Sequence, residues 1–221
     1  MVPAPLGPGR GADTGSMTLP FDPIVLAGGA ASRLGGADKP HLEVGGRTLL
    51  QHVLAAFADA RTVVLVGPPP PDRPETADGD GPARTREEPP GGGPAAAGAA
   101  GLAHPGISAE VVLLLAADLP FLDVDTVRRL VEALAEPGAG WEAAVLVDAD
   151  GRDQPLVGAY RAAALRAALA ALGEPANRPL RRLTGGLRTV RLADPAGAGF
   201  DCDTWEALAQ ARHRARVSGG G

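Results

Sequence analysis

The segment from Ile24 to Pro40, IVLAGGAASRLGGADKP, combines small residues with two cations, Arg33 and Lys39. It begins like a buried strand and then presents glycine and alanine where larger side chains would stand. Small residues allow backbone N–H groups to approach phosphate oxygens. Arg33 can bind phosphate oxygens bidentately, and Lys39 adds a compact positive charge. Both would stabilise the charge that builds on an α-phosphate and on departing pyrophosphate, so the segment predicts a catalytic triphosphate site.

Two familiar phosphate loops do not fit this segment. A Walker A loop continues from its last glycine directly into Lys and then Ser or Thr. Here Gly36 and Lys39 are separated, and Pro40 follows the lysine. A dinucleotide-binding loop needs G-x-G-x-x-G after the strand, which the residues GGAASRLGG do not match. The loop therefore indicates a phosphate site of another kind.

Asp118 follows the most apolar run of the sequence, which predicts a buried strand over 110–116. In parallel sheets, ligands bind at the carboxyl ends of the strands, so Asp118 and the glycine loop would meet at one crevice. A phosphate site needs oxygen ligands for Mg²⁺, which takes one or two carboxylates. We expect Asp118 to hold Mg²⁺ beside the α-phosphate. The alternative is that Asp118 is a helix cap or turn residue.

The composition indicates a core built mainly from Leu, Val and Ala. Hydrophobic residues make up 45% of the 221 residues, and aromatic residues only 3%. The net charge of −5 argues against a broad nucleic-acid or membrane surface. No apolar run reaches the ~18–20 residues of a membrane span. The single cysteine, Cys202, excludes an intramolecular disulfide and fits a reducing cytoplasm.

Glycine and proline concentrate near the N-terminus and in one internal stretch. This distribution predicts a disordered N-terminal extension over residues 1–18. It also predicts a single domain over 19–213 that contains a Pro/Gly-rich loop at about 67–82. We expect residues 214–221 to form a flexible tail.

Strands alternate with helices along the domain, and the apolar strands lack a two-residue period. This pattern predicts an α/β fold with a mostly parallel sheet and helices on both faces.

Asp203 fits either a helix cap or a second metal ligand. The local signals are a capping box from Thr48 to Gln51, a cap at Asp123 or Asp125, a hairpin turn at Asp150 and Gly151, and a last helix opened by Asp203 with Glu206 and running through Arg212.

Five segments carry a resemblance to known families. LAGGAASRLGGADKP resembles the L-A-G-G-x-x-x-R-x-G-x-D-K signature of nucleotidyltransferases. Within that class, AADLPFL resembles the A-D-M/L-P-F-L of molybdenum cofactor guanylyltransferases, and GRDQPLVGAYR resembles their Q-P-L-x-x-x-Y/W segment. FDCDTWEALAQAR is similar to their closing D-x-D-T-x-x-D-L helix, and REEPPGGGPAAAGAAGL to their acidic G-P-x-A-G segment. Together these segments extend over residues 22–212.

The resemblance implies a Rossmann-like, three-layer α/β/α fold of nucleotidyltransferase type, GTP and molybdopterin as substrates, and Mg²⁺ as the cofactor. It implies an enzyme of the cytoplasm that makes transient contact with molybdopterin-synthesis or molybdoenzyme proteins and acts on neither nucleic acid nor membrane. The resemblance implies that Arg33, Lys39 and Asp118 are catalytic and that Asp118 is also the metal ligand. The residues implied to bind the nucleotide are Leu26, Ala27, Gly28, Gly29, Lys39, Glu88 and Asp118. Those implied to bind the acceptor are Gln154, Pro155 and Leu156.

Several alternatives remain open at this point. Glu87 could take the acidic role in place of Glu88. The family usually carries Asn shortly after its second strand, where this sequence has Gly67 and prolines, so the base could be cytosine. Other readings are transfer from another NTP to a sugar or alcohol phosphate, and a non-catalytic module that binds nucleotide and carries a pterin cofactor. Pyrophosphate release separates an enzyme from a carrier.

Overall fold

A computed structural model describes residues 19–28, 38–57, 60, 62–69 and 81–218. Nine strands and six helices lie in this part of the chain. The strands are β1 Phe21–Leu26, β2 Glu43–Val44, β3 Arg47–Thr48, β4 Val64–Val66, β5 Ala83–Thr85, β6 Val111–Ala116, β7 Ala143–Val147, β8 Asp153–Arg161 and β9 Thr189–Ala193. The helices are α1 Leu49–Ala55, α2 Gly93–Ala103, α3 Val124–Ala135, α4 Ala162–Leu172, α5 Leu180–Thr184 and α6 Trp205–Ser218. A short 3-10 turn covers Lys39–His41.

Seven strands form one mostly parallel sheet in the order β5-β4-β1-β6-β8-β7-β9. Only β8 runs antiparallel to its neighbours, β6 and β7. The reason is local: the chain turns over Asp148–Gly151, where the Gly151 N–H donates to the Asp148 carbonyl at 2.9 Å, and returns beside β7. Such hairpins join antiparallel strands. The turn predicted at Asp150 and Gly151 is therefore present, but Ala149 and Asp150 are its central residues. The predicted α/β fold, with its mostly parallel sheet and helices on both faces, is confirmed. The strands β2 and β3 form a separate small hairpin.

Both faces of the sheet are buried, which explains why its central strands are apolar at every position. On one face, residues such as Val25 and Leu113 pack with α1 and α3; on the other, residues such as Ile24 and Leu114 pack with α2, α4 and α5. The helix α2 approaches closely because Gly101 has no side chain: a Cβ there would overlap Ile24. These layers hold the strand ends rigidly, and the strand ends carry the candidate site.

The predicted helix starts are confirmed at two places. The Thr48 hydroxyl accepts a hydrogen bond from the Gln51 backbone N–H at 3.1 Å, and the Gln51 side chain accepts from the Thr48 N–H at 2.8 Å. Asp123, one of the two expected candidates, caps α3 by accepting from the Thr126 N–H at 2.7 Å. Each contact satisfies a backbone donor that a helix start would otherwise leave unpaired.

The prediction for the last helix is wrong at both ends. Thr204, not Asp203, caps α6, since its hydroxyl accepts from the Ala207 N–H at 3.1 Å. The helix also continues past Arg212 to Ser218, so the tail predicted over 214–221 is helical over 214–218. Tertiary contacts hold this last turn: the Arg214 guanidinium lies 3.8 Å from the centre of the Phe121 ring and donates to the Ala196 carbonyl.

Some sequence predictions lie outside the described residues. The N-terminal extension over 1–18 is one of them, and so are residues 70–80 of the Pro/Gly-rich loop. Within the described ranges, no helix combines the length and the apolar character needed to cross a membrane.

Candidate active site

The site is built where β1, β4 and β6 end side by side. Leu26, the last residue of β1, pairs in parallel with Val66 of β4 and with Ala116 of β6. Beyond the paired residues, the Ala27 N–H donates to the Val66 carbonyl at 2.8 Å, and the Ala117 N–H donates to the Leu26 carbonyl at 3.1 Å. The residues that follow these strands therefore leave the sheet at one edge, as the sequence predicted for the glycine loop and Asp118.

Two glycines bring the loops after β1 and β4 into contact. A Cβ built on Gly28 would lie 3.4 Å from the Gly67 Cα. A Cβ built on Gly67 would lie only 2.7 Å from the Gly28 nitrogen and 2.8 Å from the Ala27 carbonyl carbon. Both of those atoms belong to backbone that is fixed by the sheet, so position 67 cannot carry a side chain without a shift of the phosphate loop. Glycine at this position is therefore a steric requirement of this chain.

Asp118 and Lys39 form an ion pair at the end of β6. One carboxylate oxygen, Oδ2, contacts the Lys39 Nζ. The other, Oδ1, is buried and has no hydrogen-bond partner among the described residues. The Asp118 backbone carbonyl accepts from the Cys202 N–H at 3.1 Å, which ties this turn to the segment before α6. Asp123, not Asp118, caps α3. Asp118 does lie in the turn after β6, so the turn position left open by the sequence is observed together with the ion pair.

Further acidic residues face the same ion pair. Burial raises the pKa of the Asp201 carboxyl above its ordinary value, and the nearby carboxylates of Asp118 and Asp203 raise it further, against the opposing charge of Lys39. Burial, with a smaller contribution from Asp118, raises the pKa of the Cys202 thiol to about 12, so the thiol stays protonated at neutral pH. The described residues contain no preformed group of three or more His, Cys, Asp or Glu side chains suited to a metal ion.

Glu87, not Glu88, is the acidic side chain that lies beside Gly28. Its Oε1 accepts from the Gly91 N–H at 3.0 Å, and its Oε2 is buried without a partner in the described part of the chain. Both oxygens lie within 3.8 Å of the place that a Cβ on Gly28 would occupy. Glu88 is exposed. The structure therefore favours the alternative residue of the adjacent pair.

The predicted acceptor residues lie at the same edge of the sheet. Because Leu115 of β6 pairs with Val157 of β8 in antiparallel register, residues Gln154 to Leu156 lie beyond this last pair, on the side of Asp118. The register between β7 and β8 shifts here, since Val145 pairs with Gly158 but Leu146 pairs with Gln154. The buried Tyr160 hydroxyl donates to the Pro155 carbonyl at 2.7 Å and fixes this bulge.

Gly199 is a site residue that sequence reasoning missed. A Cβ at this position would overlap the Gln154 side-chain amide, so glycine leaves room for that amide at the sheet edge. Asp201 was missed as well, although the D-x-D spacing of the closing segment contained a signal for it. Of the remaining predictions, Leu26, Ala27 and Gly28 lie at the end of β1, whereas Gly29 and Arg33 fall outside the described residues.

Comparison with known proteins agrees with this geometry. The MobA-like NTP transferase domain matches residues 23–191. A molybdenum cofactor guanylyltransferase of Nitrobacter hamburgensis is 31% identical over 224 residues, covering 92% of this chain and 100% of that protein. A 2-C-methyl-D-erythritol 4-phosphate cytidylyltransferase of Thermus thermophilus is 36% identical over 118 residues, covering 52% of this chain and 51% of that protein. Molybdopterin-guanine dinucleotide biosynthesis protein A from Archaeoglobus fulgidus has a TM-score of 0.66 at 19% identity, covering 89% of this chain and 99% of its own, which shows a shared fold.

The matched region contains the site residues from β1 to β9 and ends before Gly199 and Asp201. It begins two residues inside β1 and contains the phosphate loop, Glu87, Asp118 and the acceptor segment. It covers more than half of the chain, and the similarity to the Nitrobacter relative covers 92% of it. The chain belongs to the MobA-like NTP transferase family and is a nucleotidyltransferase.

Proposed function

We propose that this nucleotidyltransferase moves GMP from GTP to the phosphate of molybdopterin, with or without bound molybdenum, and releases pyrophosphate. The observation that carries the proposal is the buried Asp118 carboxylate, paired with Lys39 at the edge where the phosphate loop begins. A module that only carried a pterin cofactor would have no need of such a pair next to the phosphate loop. The names of the guanylyltransferase relatives support the choice of substrates.

The transfer requires no nucleophilic side chain. An oxygen of the acceptor phosphate, already an anion, attacks the α-phosphorus in line; a new P–O bond forms as the bond to the bridging oxygen of the β-phosphate breaks. Pyrophosphate leaves with that electron pair. Catalysis then consists of positioning the two substrates and offsetting the charge that develops. Lys39, together with Arg33 of the same loop, supplies positive charge for this purpose.

The donor chemistry of Asp118 fits a hard divalent cation such as Mg²⁺. Its Oδ1 is a buried anionic oxygen without a partner in the described residues, and Mg²⁺ commonly binds proteins through one or two carboxylates while keeping several waters. A cation bound there would offset the negative charge of the phosphates. Lys39 already neutralises the other oxygen, so the carboxylate is held in place before substrate arrives.

Glu87 supports GTP as the donor nucleotide. The guanine edge offers two neighbouring N–H donors, whereas the corresponding edge of cytosine offers one amino group beside an acceptor nitrogen. A buried carboxylate oxygen without a partner accepts hydrogen bonds only, so it suits guanine and opposes the acceptor of cytosine. Transfer from CTP is the second candidate, because the chain also resembles a cytidylyltransferase over about half its length.

The acceptor would lie against Gln154, Pro155 and Leu156, which extend past β6 toward Asp118. Asp201 faces the same space from the segment before α6. The phosphate end of the acceptor would then meet the α-phosphate at Asp118, and the organic end would point along β8. Transient contact with cytoplasmic proteins that make or use the pterin cofactor would supply and remove these molecules.

Pyrophosphate release tests the proposal, measured with each of the four NTPs, with and without molybdopterin, in the presence of Mg²⁺. We expect release with GTP that depends on the acceptor. Glu87→Gln should lower the preference for GTP over CTP by about tenfold, the effect of one hydrogen bond to a charged group. The matched control is Glu88→Gln, because Glu88 is exposed. Release with CTP alone, or equal effects of the two variants, would overturn the assignment of GTP.

A further inference from the structure

A small third hydrophobic cluster joins α6 to the segment that carries Lys39. Its buried members are Val44, Leu49, Cys202, Leu208 and Ala211. These residues pack apart from the two clusters that cover the faces of the large sheet. The last three of them follow residue 191, where the family match ends. The chain beyond the matched domain therefore contributes to the packing beside the site.

The backbone of Lys39 is anchored on this cluster through two hydrogen bonds. The Lys39 carbonyl accepts from the Leu42 N–H at 3.1 Å, and the Leu42 carbonyl accepts from the Leu49 N–H at 2.9 Å. Leu49 is fully buried in the cluster, and Leu42 packs against it. The hairpin of β2 and β3 lies between these two leucines and forms its own small sheet. Strand pairing with the large sheet therefore does not position Lys39.

Helix α6 holds this hairpin in place. The Arg212 Nε donates to the Glu43 carbonyl at 2.8 Å. Leu208 and Ala211, three residues apart on the helix, are buried in the same cluster as Val44 of β2. The polar contact and the apolar contacts together tie β2, and the Lys39 turn just before it, to α6.

The same helix and the segment before it hold the turn that carries Asp118. The Cys202 N–H donates to the Asp118 carbonyl at 3.1 Å, and the Cys202 side chain is part of the cluster. Phe121, three residues after Asp118, contacts Phe200, with 5.9 Å between the ring centres, and the Arg214 guanidinium of α6. Both members of the ion pair are thus anchored on one structure built around α6.

We propose that α6 is a positioning element for nucleotidyl transfer, in which Leu208 and Arg212 set the place of Lys39 relative to Asp118. The proposal goes beyond the proposed function, because it holds for any nucleotide and any acceptor. Both are positioning residues, since they act through Lys39 and not on a substrate. Loss of either one would let the Lys39 turn move, and a misplacement of about 1 Å can lower a rate by roughly 10²-fold.

The sequence offers a probe of this position that needs no substrate. Lys39 is the only lysine of the chain, so protein labelled with ¹⁵N-lysine gives a single backbone amide signal by NMR. Leu208→Ala should shift that signal by more than its line width, because the substitution opens a cavity in the cluster. Arg212→Ala should shift it as well. Arg212→Lys should return it toward the wild-type position, because an ammonium group can still donate to the Glu43 carbonyl.

Two matched controls separate the position of Lys39 from stability. Leu165→Ala removes the same atoms from a fully buried site on α4, in a different hydrophobic cluster. It should lower the urea midpoint about as much as Leu208→Ala does. Arg216→Ala removes an exposed arginine one turn further along α6. Both controls should leave the Lys39 signal unchanged.

Turnover supplies the second readout, measured as pyrophosphate release with GTP and molybdopterin at low millimolar Mg²⁺. Leu208→Ala should lower kcat about tenfold through the displacement of Lys39, whereas Leu165→Ala should leave it unchanged. In a chain that already carries Lys39→Ala, the further change Leu208→Ala should lower kcat by less than about twofold, because two changes that act through one group are not additive.

The outcomes separate the anchoring of Lys39 from the chemistry. A Lys39 signal that stays in place in both α6 variants would overturn the proposal, and so would an equal shift in Leu165→Ala. An undiminished loss of kcat from Leu208→Ala in the absence of the Lys39 side chain would overturn it as well. If Leu208→Ala does not fold, the Arg212 variants carry the same comparison, since their hydrogen bond is exposed. Movement of the signal in a chain that releases no pyrophosphate from any NTP would uphold the anchoring and contradict the proposed function.

Discussion

Replacing Asp118 by Asn removes a charge and leaves the size of the side chain unchanged. The Lys39 side chain is 23% exposed, against 11% for Asp118, so the lysine that loses its partner can turn to water. We therefore expect the free energy of unfolding to change by no more than about 1 kcal/mol, the scale of a partly solvated ion pair. For a domain of this size, that corresponds to about 2–4 °C in melting temperature.

Turnover should fall much further than stability. Loss of one group that stabilises transition-state charge lowers turnover by roughly 10²–10³-fold, which is about 2.7–4 kcal/mol. An amide also lacks the negative charge that a hard divalent cation requires. The variant therefore distinguishes a chemical role from a structural one, because a residue needed only for folding would lose stability and turnover together.

The assay is pyrophosphate release with GTP and molybdopterin at low millimolar Mg²⁺, paired with thermal unfolding of the same samples. Asp123→Asn is the matched control: Asp123 caps α3, and Asn caps helices as well as Asp does, so both readouts should stay at the wild-type level. Near-normal turnover by Asp118→Asn would refute the assignment of charge stabilisation to this carboxylate. Unfolding of the variant at ambient temperature would show that its role is structural.

Three further substitutions test other parts of the site. Lys39→Ala should lower turnover by roughly 10²–10³-fold. It should also reduce the free energy of unfolding by about 1–3 kcal/mol, unlike Asp118→Asn, because it leaves a buried anion unpaired. An active variant with normal stability in urea unfolding would contradict this. Gly67→Ala should reduce the free energy of unfolding by about 1–3 kcal/mol through overpacking. Gly186→Ala should leave it unchanged, because a Cβ there meets open space. Equal urea midpoints for the two variants would count against the steric argument. Tyr160→Phe should reduce the free energy of unfolding by about 1 kcal/mol, because one hydrogen bond is lost. It should also raise KM for the acceptor but not for GTP. An unchanged acceptor KM would show that the Pro155 bulge plays no part in acceptor binding.

The sequence predicted those features that local chemistry determines. The Thr48 capping box joins residues three apart, and so does the hydrogen bond between Asp148 and Gly151 that closes the turn after β7, so no knowledge of distant packing is needed. The meeting of the phosphate loop with Asp118 was predictable for a different reason, since the carboxyl ends of neighbouring parallel strands lie at one edge whatever the loops between them do.

Features that depend on distant contacts were not predictable. Glu87 and Glu88 are adjacent acidic residues, and only the packing of the loop before α2 against Gly28 determines which one is buried. The length of α6 depends on the contact of Arg214 with Phe121, nearly a hundred positions earlier in the chain.

Transfer of label from [α-³²P]GTP to molybdopterin tests the central claim most directly. The account predicts that label appears on the acceptor in one-to-one proportion with released pyrophosphate, and that Asp118→Asn lowers the rate of both by roughly 10²–10³-fold. Label recovered only as unreacted GTP or as free GMP, with active acceptor present, would contradict the claim that this chain is a guanylyltransferase acting on a pterin cofactor.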